Sequence, residues 1–161
     1  QLSVKNNHIV RMTGLSSLTS LTVLSLSSNS IVAIDGLQEL TQLMWLDLSS
    51  NSIKNIEHLP KGGKLHYIDL SDNDVTHISD MSSLQNLKTL LLHSNNITSL
   101  KPAAVCLPQS VAILSLADNG IHDLNEICYL SGLPNLQQLS ISENPCVLIE
   151  SGNSYPFFTW S

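Results

Sequence analysis

Short stretches of alternating apolar and polar residues recur at a nearly fixed distance along the chain. Each stretch has two apolar residues separated by one position, and an asparagine follows three residues after the second of them. Alternation with a period of two predicts a short β-strand that buries one face. These asparagines are spaced 22, 22, 22, 22, 24 and 25 residues apart, which predicts one structural unit repeated along the whole chain. They are Asn7, Asn29, Asn51, Asn73, Asn95, Asn119 and Asn144.

The segment between one asparagine and the next strand has its own apolar pattern. In the second unit, Ile31 and Ile34 are followed by leucines at three-residue spacing, which suits a 3₁₀ turn. Three segments depart from this pattern. Gly62 and Gly63 stand where a core leucine is expected, residues 101–110 add two residues with two prolines, and residues 125–136 are long enough for a helix. We therefore expect the back surface to bulge at residues 101–110.

The repeated pattern is that of leucine-rich repeats, and its length resembles the short subclass found in intracellular regulators of phosphatase, dynein and centriole function. The resemblance implies an α/β fold: a right-handed solenoid with a parallel β-sheet on the concave face and short 3₁₀ or α turns on the convex face. We predict seven coils over residues 1–147, the first of them truncated. Residues 148–161 are predicted to form part of a C-terminal cap, because they carry several aromatic residues. These are Tyr155, Phe157, Phe158 and Trp160.

The recurring asparagine has a predicted structural role. After each strand the chain must turn away from the sheet, and a buried amide can donate to and accept from backbone groups of that turn and of the neighbouring coil. Stacked coils would then align their asparagines in a ladder. Losing one rung is expected to cost on the order of 1–3 kcal/mol, because buried polar groups lose a partner.

The residues on the outward side of the strands form the predicted binding face. We predict an apolar strip flanked by carboxylates, a surface that suits an apolar, basic helix of a partner protein. The strip comprises Val23, Trp45, Tyr67, Leu91 and Ile113. The polar neighbours are Asp47, Asp69, Asp72, Asp118 and Glu143, with Lys5 and His93 as the basic members. The alternative is that these are ordinary solvated strand residues. Equivalent positions on neighbouring strands predict that Trp45 and Tyr67 stand about 4.8 Å apart.

The composition of the chain argues against several classes of function. The net charge is −6 with only seven Lys and Arg, which argues against nucleic acid. No apolar stretch approaches the roughly 20 residues that span a membrane, and the start inside a repeat, without Met or leader, predicts a truncated chain. The three cysteines, in no close pair, indicate a reducing, cytosolic compartment. The six histidines show no metal-ligand spacing, and no catalytic or cofactor motif is present. We expect no enzyme activity, cofactor or metal.

Several coils carry particular residues at non-consensus positions. The stretches LKTLLLH, AILSLADN and DLNEI resemble the repeat region of a family of centriolar proteins that combine leucine-rich repeats with IQ segments. The resemblance covers residues 1–147 and implies a scaffold at the distal end of the centriole. With a coiled-coil capping partner, that scaffold would limit microtubule growth and suppress premature cilium assembly. Calmodulin would bind only outside the repeats. The alternatives are a phosphatase-regulating repeat protein and an axonemal dynein-associated one.

Overall fold

Seven short strands form one parallel sheet in which every strand pairs with the next strand in the sequence. The computed structural model describes residues 1–61 and 63–148. The predicted parallel solenoid is confirmed, and its consecutive strands are linked by about six turns of chain. The strands are β1 (Leu2–Ser3), β2 (Val23–Ser25), β3 (Trp45–Asp47), β4 (Tyr67–Asp69), β5 (Thr89–Leu91), β6 (Ile113–Ser115) and β7 (Gln138–Ser140).

The core is a stack of aliphatic layers, to which each coil contributes the same positions. In the second coil the strand leucine Leu24 is fully buried, and so are Ile31 and Ile34 behind it. The leucines at three-residue spacing close the back of the coil. There, the backbone N–H of Leu40 donates to Leu37 O at 3.0 Å, the bond of a three-residue turn. Tight turns of this kind explain how a whole coil fits into 22 residues.

The two longer coils contain the helices. The segment 101–110, where a bulge was predicted, contains the helix α1 (Ala103–Cys106). This helix begins directly after Pro102. The segment predicted as a helix over residues 125–136 forms a 3₁₀ helix at Leu124–Leu130, followed by turns. A 3₁₀ helix brings residues three apart onto one side and rises further per residue than an α-helix. Ile127 and Leu130 therefore both pack against the core.

Two sequence predictions, at the glycine pair and at the C-terminal cap, fall wholly or partly outside the described residues. Gly62, where a core leucine was expected, lies outside the described residues, whereas its neighbour Gly63 is exposed in a turn. The carbonyl of Gly63 accepts a hydrogen bond from Asn86 Nδ2. Of the predicted C-terminal cap, only Leu148 is described, and its side chain is exposed.

The asparagine at the end of each strand joins neighbouring coils through its side chain. In Asn51, Nδ2 lies 3.0 Å from Leu48 O and 3.1 Å from Leu26 O of the preceding coil. Its Oδ1 accepts from the backbone N–H of Ile31, also in the preceding coil, at 2.9 Å. The same bonds to the preceding coil recur at every other rung except Asn7. These rungs are Asn29, Asn73, Asn95, Asn119 and Asn144.

Asn7 differs from the other asparagines because no described coil precedes it. Its Nδ2 donates only within its own coil, to Val4 O at 3.1 Å and Lys5 O at 2.9 Å, and the residue is exposed. Asn7 therefore provides an internal reference for a rung that does not connect two coils.

We expect Asn73→Ala to lower the free energy of unfolding by about 1–3 kcal/mol, because carbonyl oxygens of two coils and one buried N–H lose their partner. Asn7→Ala is the matched control and should cost less than about 1 kcal/mol, because water can replace its bonds. Urea denaturation followed by circular dichroism measures both. Equal losses in the two variants would contradict a role for the ladder in joining coils.

Candidate functional site

The sheet register arranges the outward-facing residues in rows across the strands. The first row runs through Trp45 and Tyr67, which are paired residues of β3 and β4. The second row runs two residues further along each strand, through Asp47 and Asp69. We call this two-row surface the concave face. Its first row comprises Val23, Trp45, Tyr67, Thr89, Ile113 and Gln138, and its second Ser25, Asp47, Asp69, Leu91, Ser115 and Ser140.

The residues of the predicted apolar strip do not all lie in one row. Leu91 is paired with Asp69 and therefore lies in the second row, not beside Tyr67. The residue paired with Tyr67 is Thr89, which the sequence analysis passed over. Counting back from the ladder asparagine gives the correct position, six residues before Asn95.

Trp45 and Tyr67 form a stacked aromatic pair in the first row. Their ring centroids lie 4.9 Å apart and the ring planes differ by 7°, in agreement with the spacing predicted from the strand register. Both residues are half-buried. The ring of Tyr67 extends along its strand, because its hydroxyl lies 3.4 Å from Asp69 Oδ2. Desolvation raises the pKa of Tyr67 to about 12, with the negative charges of Asp69 and Asp47 adding to the shift.

Asp47 does not have the solvated environment expected of a carboxylate that attracts a partner. It is only 5% exposed, and both oxygens are occupied. Oδ1 accepts from the Ser49 N–H at 3.1 Å and hydroxyl at 2.7 Å. Oδ2 accepts from Ser25 Oγ at 2.8 Å and pairs with Lys5 Nζ at 3.2 Å. Asp47 is therefore a structural carboxylate, and its reversal to Lys would perturb the fold as well as any binding.

Burial raises the pKa of Asp47, but the hydrogen bonds from Ser49, Ser25 and Lys5 together outweigh it and lower the pKa below its usual value. The contacts between Asp47 and Ser49 could have been predicted from the sequence. In both Asp47 and Asp69 a serine follows two residues later, and a carboxylate readily accepts from the backbone N–H and hydroxyl at that distance. The contribution of Lys5 had no such signal, because Lys5 lies two coils away.

Asp69 occupies the equivalent position in the next coil but has fewer partners. Its Oδ1 accepts from the N–H of Ser71 at 2.9 Å and from its hydroxyl at 2.6 Å, like the Oδ1 of Asp47. Its Oδ2 has only the long contact with the Tyr67 hydroxyl among the described residues. The side chain is half-buried at the surface. Asp69 therefore presents one carboxylate oxygen that can still accept a hydrogen bond.

The remaining predicted polar residues lie along one margin of the concave face. Asp72, Asp118 and Glu143 are exposed, and each directly precedes a ladder asparagine. The backbone of these three residues is in the left-handed region, with φ between 51 and 58°. His93 follows β5 and is half-buried. The left-handed turn directs the chain away from the sheet and brings the asparagine inward. Sequence reasoning missed this turn, although Asn and Asp, which occupy this position in some coils, tolerate it better than most residues.

The described residues 1–61 and 63–148 contain no group of three or more His, Cys, Asp or Glu side chains placed to hold a metal ion. Cys106 and Cys146 are half-buried against the core, and Cys128 is exposed. Burial raises the pKa of the Cys146 thiol, which disfavours the reactive thiolate. Among the helices in these ranges, none is long and apolar enough to cross a membrane.

We expect the stabilising effect of Asp47 to depend on pH. Because its pKa is lower in the folded chain than in the unfolded chain, its contribution is present above the unfolded value and disappears as pH falls through the folded value. The free energy of unfolding of the wild-type chain should exceed that of Asp47→Asn by about 1–2 kcal/mol at pH 7. This difference should shrink below about pH 4. Urea denaturation between pH 7 and pH 2 measures it. Asp118→Asn, which removes an exposed carboxylate, is the control, and a pH-independent difference for Asp47→Asn would contradict the assignment.

Known proteins share both the repeat and part of the sequence. Over 50 residues the chain is 62% identical to the centrosomal protein of 97 kDa of Xenopus laevis, and over 51 residues it is 61% identical to that of Homo sapiens. The protein of the same name in Mus musculus is 57% identical over 51 residues. These segments cover 31–32% of this chain and 6% of each relative, so the chain spans a small part of their length.

A solved structure of an internalin from Listeria monocytogenes aligns with 89% of this chain and 60% of its own, at 20% identity and a TM-score of 0.46. Two family profiles match the sequence. The profile described as "Leucine rich repeat" matches residues 1–53, and a second, described as "Leucine-rich repeat", matches residues 42–155. Together with the seven-stranded parallel sheet, these matches show that the chain belongs to the leucine-rich repeat family.

Proposed function

We propose that this chain is the protein-binding repeat region of a centrosomal scaffold and has no catalytic role of its own. The observation that carries the proposal is the identity of 57–62% with centrosomal proteins of 97 kDa from three vertebrates. Leucine-rich repeat solenoids typically serve as interaction domains rather than enzymes, which supports the second part. The proposed location is the cytoplasm, at the centrosome and centriole.

The proposed activity follows the resemblance to centriolar repeat proteins. The scaffold would act at the distal end of the centriole, together with a coiled-coil capping partner, to limit microtubule growth and suppress premature cilium assembly. Calmodulin would contribute only through regions outside this chain. The surface proposed to contact the capping partner is the concave face, because it carries a half-buried aromatic pair next to an acceptor carboxylate.

The physical basis of this choice is the Trp45–Tyr67 pair. Large aromatic side chains supply much of the affinity in protein interfaces, because they bury a large area and lose little conformational entropy. Here the two rings already stack on each other, which restricts their rotamers before a partner arrives. Preorganisation of this kind lowers the cost of binding.

The double substitution Trp45→Ala with Tyr67→Ala should weaken binding to the capping partner by on the order of 2–4 kcal/mol, since it removes the aromatic pair without opening the aliphatic core. The test is affinity capture from extracts of ciliated cells, probed for the capping protein, a phosphatase catalytic subunit and a dynein heavy chain, followed by titration with purified partner.

Val105→Ala is the matched control, because Val105 is an apolar side chain, 76% exposed, on the helix α1 outside the concave face. It should bind like wild type, and all variants should keep their melting temperature within a few degrees. Capping-protein binding that is unchanged in the aromatic double variant would overturn the concave-face assignment. Capture of phosphatase or dynein subunits in place of the capping protein would overturn the centriolar function.

A further inference from the structure

The first row of the concave face contains a gap beside the aromatic pair. One face of the Tyr67 ring is covered by Trp45 of β3. The opposite face is directed toward β5, where the paired residue is Thr89. A threonine side chain is too short to cover an aromatic ring. The stack that begins with Trp45 therefore ends at Tyr67, whose second ring face has no aromatic neighbour among the described residues.

The width of this gap suits one planar group. Ile113 of β6 follows Thr89 in the same row, so it stands two strand spacings, or about 9.6 Å, from Tyr67. A flat group in van der Waals contact on both sides needs about 7–8 Å. The gap over Thr89 can therefore hold a single planar side chain, with Tyr67 on one side and Ile113 on the other.

The electrostatics of the gap favour a cation. The Oδ2 of Asp69 lies beside the hydroxyl end of the Tyr67 ring. On Asp47 the corresponding oxygen is filled by Ser25 and Lys5. On Asp69 no serine or lysine of the described ranges 1–61 and 63–148 takes that place, because its row neighbours are Asp47 in β3 and the apolar Leu91 in β5. The Lys5–Asp47 pair also shows that this row of carboxylates accepts a cationic side chain.

The geometry points to an arginine-binding slot, formed by Tyr67, Thr89, Ile113 and Asp69, that receives a guanidinium group from a protein partner. The guanidinium is the one common side-chain group that is both planar and permanently charged, so it can stack on Tyr67 while donating to Asp69 Oδ2. Lysine has the charge without the plane, and an amide has the plane without the charge. The slot rests on the proposed function of the concave face, and it identifies the chemistry of the partner.

The test is a titration of the full chain with N-acetyl-arginine amide, followed by the NMR shifts of the Ile113 and Leu91 methyl groups. We expect a dissociation constant on the order of 1 mM, reasonable for one side chain. The matched amides of citrulline and lysine should bind at least about fivefold more weakly, because each lacks one of the two properties. Equal binding of either one would overturn the slot.

Variants separate the two halves of the slot. Asp69→Asn should weaken arginine binding at least about tenfold, since a charge-assisted hydrogen bond is lost. Thr89→Tyr should abolish it, because the new ring completes the stack and fills the gap. Glu39→Gln, which removes an exposed carboxylate in the turn between β2 and β3, and Val105→Ala on α1 both lie outside the slot and should bind within about twofold of wild type. Unchanged binding in both Asp69→Asn and Thr89→Tyr would overturn the slot, and Asp69→Asn decides alone if the tyrosine variant fails to fold.

This test is independent of the test of the proposed function. If arginine amide does not bind but the aromatic double variant still loses the capping partner, the slot is wrong and the concave face remains the binding surface. If arginine amide binds as expected but the capping protein does not bind the chain at all, the slot stands and the centriolar function is wrong.

Discussion

The whole molecule depends on one polar interaction, the side-chain amide of the asparagine that follows each strand. Strands of three residues cannot by themselves hold a parallel sheet, and the sharp turn after each strand leaves backbone carbonyls without partners. The amide of Asn51 meets both needs, because it contacts carbonyls of its own coil and both a carbonyl and an N–H of the preceding coil. Every later coil is fixed to its predecessor in the same way, so the register of the sheet is set at the ladder.

A fixed register makes each side chain of the concave face depend on its neighbours in adjacent coils. Asp47 and Asp69 show the consequence. The two aspartates have the same backbone position and the same serine two residues later, but Asp47 has Ser25 and Lys5 on one side, whereas Asp69 has Asp47. One carboxylate is satisfied inside the protein, and the other retains an oxygen for a partner. The difference lies in the neighbouring coils and not in the residue itself.

This dependence separates what the sequence predicts from what it does not. The asparagine spacing predicts the strands, the aliphatic layers and the distance between Trp45 and Tyr67, because all of these follow from the period alone. The row of Leu91, the partners of Asp47 and the 3₁₀ form of Leu124–Leu130 do not follow from the period. They depend on how far a side chain reaches and on how much chain spans the back of a coil. Hydropathy placed Leu91 on the outward side of its strand, and only the register shows which row it belongs to.

The same reasoning explains why binding chemistry is concentrated in a few residues. Core and ladder positions are satisfied within the solenoid, as the full burial of Leu24 and Ile31 illustrates. A partner gains directional contacts at groups that the neighbouring coils leave incomplete. On the concave face these include the Tyr67 ring face that is turned away from Trp45, and Asp69 Oδ2, which lie on the same strand, two residues apart. Because the sheet holds both in place before binding, a partner that meets both loses little to reorganisation. A rigid repeat can therefore be selective with a small interaction surface.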